Sequence, residues 1–194
     1  MFKSALKVCV FLAVFSFLVA CSPKLNWRTV QSPEQRYSAL FPGKPDKLDR
    51  LIPYQAQELK QTLEAVKIDD DIYSISSIQL PVNQSGMTKK MIEQLQGNLL
   101  DRAKVSGGNV LIEEGAYQAS DSRRIPVKDY FITLSSNGKT KQSMRVRWIV
   151  RLDKDGGNWI YQVSILHVNA ETGDAKTLLS KEEFANFFNE FRPE

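Results

Sequence analysis

The sequence predicts a domain of the α+β class, with an antiparallel sheet of about six to seven strands sandwiched by helices. Three observations support this prediction. Several segments alternate branched or aromatic residues with polar ones, which is typical of strands with one buried face. Short turn signals separate many of these segments, and strands joined by tight turns pair antiparallel. Two other segments repeat apolar residues every three to four positions, as amphipathic helices do.

The first half of the chain contains most of the turn signals. Proline residues mark turns at 32–35 and 42–45, because proline fixes φ and donates no backbone hydrogen bond. The run DDD at 69–71 indicates a hairpin turn. Residues 57–66 suit a helix or a strand by composition, and we expect a strand. The predicted strands of this half are 27–30, 37–41, 57–66 and 72–80.

A change of period marks a helix at residues 88–104. Met91, Leu95 and Leu99 recur every four residues, and Gly107-Gly108 follows as a stop signal. Strand patterns then return, and Asn137-Gly138 is a strong signal for a two-residue hairpin turn. The strands predicted for this half are 109–118, 124–136, 141–152 and 159–168.

Residues 180–191 predict a last helix. Ser180 and Glu183 have the spacing of a capping box, in which each side chain binds the other residue's amide. The aromatic stripe of this helix has helical spacing, so we expect it to seal the core. It consists of Phe184, Phe187, Phe188 and Phe191.

The first twenty residues have the pattern of a secretory signal peptide. Lys3 and Lys7 precede an apolar stretch at 8–20, which is too short to span a bilayer comfortably. The stretch ends in Leu-Val-Ala-Cys, which resembles the bacterial lipobox and implies lipid attachment at Cys21. The predicted segments are a lipoprotein signal peptide (1–20), a lipidated tether (21–26) and a single globular domain (27–194). The alternative is a plain signal sequence with an incidental cysteine.

This leader places the mature chain in the bacterial cell envelope. Ser22, rather than aspartate, follows the cysteine. By resemblance to the sorting rule of enteric bacteria, that favours the outer membrane with the domain facing the periplasm. Cys9 would leave with the signal peptide, so the mature chain would have no thiol for a disulfide or a thiolate metal site.

Net charge argues against a nucleic-acid-binding protein. The chain has 26 basic and 22 acidic side chains, and two of the basic ones lie in the leader. The small remaining excess of positive charge is ordinary, and no nucleic-acid-binding motif is present.

Two short motifs resemble the PsbP-like fold, which includes the DcrB-like periplasmic lipoproteins. Trp27 followed by YSALFPGKP at 37–45 is similar to the family's opening, and FANFFNEFR at 184–192 is similar to its closing helix. Glu190 before Phe191 is a departure from the family's ending. The resemblance implies an α/β/α sandwich and a binding or assembly module without catalytic residues or cofactors.

Motifs for catalysis or metal binding are lacking. His167 is the only histidine, so we expect a structural role for it. Adjacent aspartates at 69–71 cannot converge on one calcium ion. Glu113 and Glu114 are neighbours in a strand and so point to opposite faces. We therefore expect no metal, no cofactor and no enzyme. Two alternatives stay open: an envelope hydrolase with carboxylates brought together by folding, and a passive envelope or stress protein.

The Asn137-Gly138 turn predicts the register of the strands that it joins. If residue 136 faces 139, Met144 faces Phe131, and Asp129 faces Val146 on a mainly apolar face. The opposite face then carries five cations: Arg124, Lys128, Arg145, Arg147 and Arg151. Like charges side by side call for an anion, so we expect this stripe to bind an acidic envelope partner or anionic lipid headgroups. The alternative is a solvated surface.

Overall fold

The computed structural model describes residues 25–54, 57–82, 85–119, 121–136, 139–152, 156–169 and 174–194. A 3₁₀ turn lies at Pro33–Gln35. In these residues the strands are β1 (Arg28–Ser32), β2 (Tyr37–Phe41), β3 (Asp46–Tyr54), β4 (Gln57–Ile68), β5 (Asp71–Leu80), β6 (Asn109–Gln118), β7 (Arg124–Ser136), β8 (Lys139–Leu152), β9 (Asn158–Val168) and β10 (Arg192–Pro193). The helices are α1 (Ser85–Val105), α2 (Ala175–Leu179) and α3 (Glu182–Asn189).

The strands form two antiparallel sheets. The large one has seven strands in the order β3-β4-β5-β9-β8-β7-β6, and the small one has the order β1-β2-β10. The predicted α+β class and the sheet between helices are confirmed. The prediction missed β3, because residues 46–51 of this end strand are all exposed and show no alternation of apolar and polar positions.

The large sheet has two covered faces. On the first, here called the α1 face, α1 packs through Met91 against Ile78 and Ile160 and through Ala103 against Ile132. On the second, here called the C-terminal face, the small sheet, α2 and α3 cover a largely aromatic core. The domain therefore has three layers, with the seven-stranded sheet in the middle.

The predicted phenylalanine stripe lies in this core. Phe184 is 4% exposed, and Phe187, Phe188 and Phe191 are fully buried. The ring of Phe187 contacts Phe41 at 5.1 Å between centroids. The prediction that the stripe seals the core is confirmed.

The predicted last helix at 180–191 is present as the shorter α3, and a helix that was not predicted, α2, precedes it. The predicted capping box is wrong. Asp174 caps α2, and its Oδ2 accepts a hydrogen bond of 3.0 Å from the Thr177 amide. Ser180 ends α2 with its own amide bonded to the Lys176 carbonyl at 3.0 Å. Its ψ of −6° is helical, whereas an N-cap residue needs an extended backbone. Lys181 instead precedes α3, without a side-chain cap bond.

Two glycines end α1 as predicted, although the helix runs three residues further back than 88. Gly107 has φ of +70°, a left-handed conformation that glycine adopts without strain. At Gly108 a Cβ atom would lie 1.8 Å from the Thr133 carbonyl oxygen, so only glycine fits there. The chain can therefore turn tightly from α1 into β6 alongside β7.

Candidate functional site

The predicted lipidation site, Cys21, and the signal peptide lie outside the described residues, so both remain predictions. The described chain begins beside the turn at 42–45, where the Asn26 amide donates to the Pro42 carbonyl at 3.0 Å. Within the part of the chain that the structure describes, no helix is long and apolar enough to cross a membrane.

The predicted register of the β7–β8 hairpin is wrong beyond its first two pairs. Asn137 and Gly138 lie outside the described residues, but Ser136 pairs with Lys139 as expected. The register then shifts at Leu134/Ser135, where β8 contains one extra residue. From there Asp129 faces Arg147, and Phe131 faces Arg145. A shift of one residue exchanges the two faces of a strand, so this bulge places the β8 arginines on the same face as Asp129.

The predicted anion-binding stripe is consequently not formed. Arg145 and Arg147 are 7% and 2% exposed and lie under α2 and α3 on the C-terminal face. Lys128 is exposed on the other face of β7, opposite Glu114 of β6. Arg124 is exposed at the first residue of β7, and Arg151 lies beside the buried Tyr117 ring. The prediction failed because the turn residues specify only the pairs next to them.

Asp129, Arg145 and Arg147 form a buried ion-pair network, here called the Asp129 cluster. Arg147 binds the carboxylate with two nitrogens, through Nε to Oδ1 at 2.7 Å and through Nη2 to Oδ2 at 2.9 Å. Arg145 Nη2 donates to Oδ2 at 2.7 Å. Asp129 is only 4% exposed, so these bonds replace its hydration.

The same arginines bind the ends of both C-terminal helices. Arg145 Nη1 donates to the carbonyl of Leu179, the last residue of α2, at 3.2 Å. Arg147 Nη1 donates to the carbonyl of Phe188, in the last turn of α3, at 3.1 Å. Helix C-termini present carbonyls without helical partners and carry partial negative charge. These groups offset the second positive charge, which Asp129 alone cannot neutralise.

An aromatic ring and a glycine complete the site. The Arg145 guanidinium lies over the Phe188 ring at 4.1 Å, a cation–π contact. Above the cluster, a Cβ atom at Gly115 would lie 3.0 Å from Asp129 Oδ2 and 3.3 Å from Arg147 Nη2. Glycine at this position of β6 therefore leaves room for the ion pair.

The electrostatics favour the charged carboxylate. Burial alone would raise the pKa of Asp129, but the hydrogen bonds and charge of Arg147, followed by those of Arg145, hold that pKa below its usual range. The carboxylate is therefore ionised at neutral pH and cannot act as a general acid there.

A second buried carboxylate, Glu64, lies on the same face. Ser32 donates to its Oε2 at 2.5 Å, and the Tyr37 hydroxyl donates to the same oxygen. Burial, followed by the hydrogen bond to Glu64, raises the pKa of Tyr37 far above its usual value. These bonds join the small sheet to β4, since Ser32 ends β1 and Tyr37 begins β2.

These two carboxylates cannot work as a catalytic pair. Glu64 lies on β4 and Asp129 on β7, four strand positions apart in the sheet. At about 4.8 Å per strand their separation is about 19 Å, whereas paired carboxylates of glycoside hydrolases lie about 5–9.5 Å apart. Glu113 does lie opposite Asp129 in the β6–β7 register, but it pairs with Lys176.

The lone histidine has a local partner. His167 Nδ1 lies 2.7 Å from Asp71 Oδ1, and its side chain is 20% exposed. Asp71 begins β5 and Asp69 lies in the preceding turn, so the three aspartates do not converge. Among the described residues, no group of three potential metal-binding side chains lies close together.

The surface cavities that described residues line include one at the end of α1 and one beside α3. The larger, of 790 Å³, lies at the end of α1 between Arg102, Val105 and Leu134. The other, of 430 Å³, lies between β6 and α3 and is lined by Tyr117, Arg124 and Arg192 among others. Arg192 already pairs with Glu190 at 3.1 Å.

Sequence reasoning missed the Asp129 cluster, although a signal was present. Asp129 interrupts an otherwise apolar alternation of Ile125, Val127 and Phe131. The strand that pairs with this one carries arginines at alternate positions. A lone carboxylate on an apolar strand face next to such a strand indicates a buried ion pair.

No protein-family model matches this chain, and a search of the curated proteins finds none that matches it significantly.

Proposed function

We propose that this chain is a lipoprotein of the bacterial cell envelope, anchored through lipid on Cys21, whose domain (27–194) serves as a binding or assembly module facing the periplasm. The observation that carries the proposal is the leader: two lysines, a short apolar stretch and Leu-Val-Ala-Cys at 18–21. The outer membrane is the proposed location, because Ser22 follows the cysteine.

A lipid anchor of this kind would hold the domain close to the bilayer. Residues 21–26 span at most about 21 Å when fully extended. One acyl chain binds a membrane reversibly, whereas several chains make dissociation negligible. The domain would then meet partners that lie in or near the same membrane.

The arrangement of buried carboxylates favours a binding module over a hydrolase. Both oxygens of Asp129 accept bonds from arginines, and Glu64 accepts bonds from Ser32 and Tyr37. These side chains hold layers of the fold together and are closed to a substrate. The resemblance to PsbP-like proteins, whose better-known members act as binding or assembly subunits, supports the same proposal.

The anchor is tested by mass spectrometry of the full chain expressed in a bacterium. We expect a mature protein that begins at an acylated Cys21. C21A should remain an uncleaved precursor, while C9A, whose cysteine lies inside the apolar stretch, should be processed like the parent. An intact parent chain beginning at Met1, or an unmodified Cys21, would contradict the proposal.

Crosslinking in intact cells distinguishes a binding module from a passive envelope or stress protein. A partner recovered in stoichiometric amount with the parent, and lost with C21A, supports an anchored module. Normal lipidation without any stoichiometric partner would support the passive alternative.

A further inference from the structure

The strand β3 ends the seven-stranded sheet, and its outer edge is exposed. Within the described residues no strand pairs with that edge. Residues 46–51 are all exposed, including Leu48 at 59% and Leu51 at 61%. An end strand with unpaired amides and apolar side chains is a template for another strand.

Pro53 indicates which amides point outward. Proline in a sheet occupies a position whose missing N–H would face solvent. Pro53 pairs with Glu58 of β4, and hydrogen-bonding direction alternates along a strand. The amides and carbonyls of Lys47, Asp49 and Leu51 therefore point away from β4.

The charges of this edge are self-complementary. In a two-fold antiparallel pairing centred on Leu48, Asp46 of one copy faces Arg50 of the other, and Lys47 faces Asp49. Each charge thus meets its opposite, and cross-strand pairs of this kind are favourable. The facing residues Lys47 and Asp49 are also the ones whose backbone groups point outward, so the main chains can bond in the same register.

Neighbouring registers lack this match. Moving the centre by one residue places Lys47 against Lys47 or Asp49 against Asp49. The other end strand, β6, offers no alternative match, because the only charged residues in its range are Glu113 and Glu114. Charged end strands usually prevent association, but this pattern permits one register.

The existing ion pairs leave the edge available. Lys47 binds Glu34 at 2.7 Å, and Asp49 binds Lys60 at 3.0 Å, through side chains that are 39% and 43% exposed. Lys60 lies on β4, the inner neighbour of β3, and Glu34 lies in the 3₁₀ turn before β2. A lysine ammonium has three donors. A second strand can therefore approach without breaking these bonds.

We propose that two copies of this chain associate edge to edge through β3, by a two-fold antiparallel pairing centred on Leu48. The two seven-stranded sheets then form one continuous sheet across the interface. A two-fold contact of this kind closes on itself and does not grow into a filament. The association does not depend on the lipid anchor.

Disulfide trapping tests the register. At the two-fold axis the two Leu48 Cα atoms would be about 4.5 Å apart, within the range for a disulfide. The two Leu51 Cα atoms would be about 20 Å apart, because six residues separate them along the ladder. In the full chain, mild oxidation should trap L48C as a dimer. L51C, which is equally exposed, should form no more dimer than the parent with its own Cys9 and Cys21.

Charge exchange tests the pairing. In the L48C background, D46R places arginine against Arg50 and R50D places aspartate against Asp46, so each should abolish the trapped dimer. The double variant D46R/R50D restores opposite charges and should restore the dimer. Equal trapping of L48C and L51C, no trapping of L48C, or failure of the double variant to recover would overturn the proposal.

Discussion

The two faces of the central sheet are covered by helices in different ways: one face meets the side of a helix, and the other meets the ends of two helices. On the α1 face, the flank of one long helix packs on uncharged aliphatic and aromatic side chains. One of these is Trp148, whose indole nitrogen donates to Gln162 at 3.1 Å. On the C-terminal face, two short helices point their carbonyl ends at buried arginines.

Among the described residues, this difference explains why buried cations occur on only one of the two faces. Along a helix flank the carbonyls are already bonded within the helix, so the backbone there offers fewer acceptors to a buried arginine than a helix end does. At a helix C-terminus the last carbonyls lack helical partners. The C-terminal face can therefore bury Arg145 and Arg147, because α2 and α3 each end above one of them. Burial of a cation on this face thus depends on the position of the covering helix's last carbonyls as much as on the neighbouring anion.

The largest effect of buried charge on the C-terminal face is expected for a substitution of Asp129, the anion of the Asp129 cluster. D129N keeps the shape of the side chain but leaves two buried arginines without a counter-charge, which should reduce the free energy of unfolding by about 3–5 kcal/mol. Urea unfolding followed by circular dichroism measures this loss. The matched control is D121N, because Asp121 pairs with Arg123 at 2.7 Å on the surface. Its effect should stay within about 1 kcal/mol. Similar small losses for both variants would mean that the ion pair is not what stabilises this face.

The same carboxylate should make stability depend on pH. Because the folded pKa of Asp129 lies below its usual range, its contribution is fully present above the unfolded pKa of about 3.9 and is lost as pH falls through the folded pKa. The difference in unfolding free energy between the parent and D129N should therefore shrink between about pH 5 and about pH 2. Unfolding curves of both proteins across this range measure it. A gap that stays constant at acid pH would contradict the assignment.

The smallest expected effects compare Asp174, which caps the start of α2, with Ser180, which does not cap α3. D174A removes the acceptor for the Thr177 amide and should cost about 1 kcal/mol. S180A removes a hydroxyl that does not cap α3 and should change stability by less than about 0.5 kcal/mol. Thermal unfolding of the two variants side by side checks the order. A larger loss for S180A would restore the capping box that the sequence predicts.

Local pattern was sufficient for most elements but not for the pairing between them. Alternation and turn residues located β2, β6 and β7 at their observed bounds, and the four-residue apolar repeat located α1. These signals depend on neighbours in the chain. The strand β3 was not predicted because neither of its faces is regularly buried, so its sequence does not alternate between apolar and polar residues.

The prediction of the candidate site failed because the register of β7 and β8 shifts by one residue. The Asn137-Gly138 signal predicts pairs close to the turn, but nothing in the sequence of β8 shows that one residue bulges before Gln142. That bulge moves Arg145 and Arg147 from a predicted surface to the core. The lone Asp129 among apolar residues was the available indication, since a carboxylate on a buried face requires a cation beside it. The prediction that Cys21 carries lipid comes from a local motif and needs no knowledge of the fold.

The arginine bonds to α2 and α3 also constrain the order in which the chain can fold during its synthesis. The β7–β8 hairpin emerges before residues 174–194, yet Arg145 and Arg147 find their carbonyl acceptors only in that last segment. Until it arrives, β1 and β2 alone cover the aromatic side of the sheet, and two cations lack part of their neutralising groups. A chain that ends after β9 would therefore lack both the helices that cover this face and the carbonyls that accept from its arginines. Residues 174–194 therefore complete the C-terminal face.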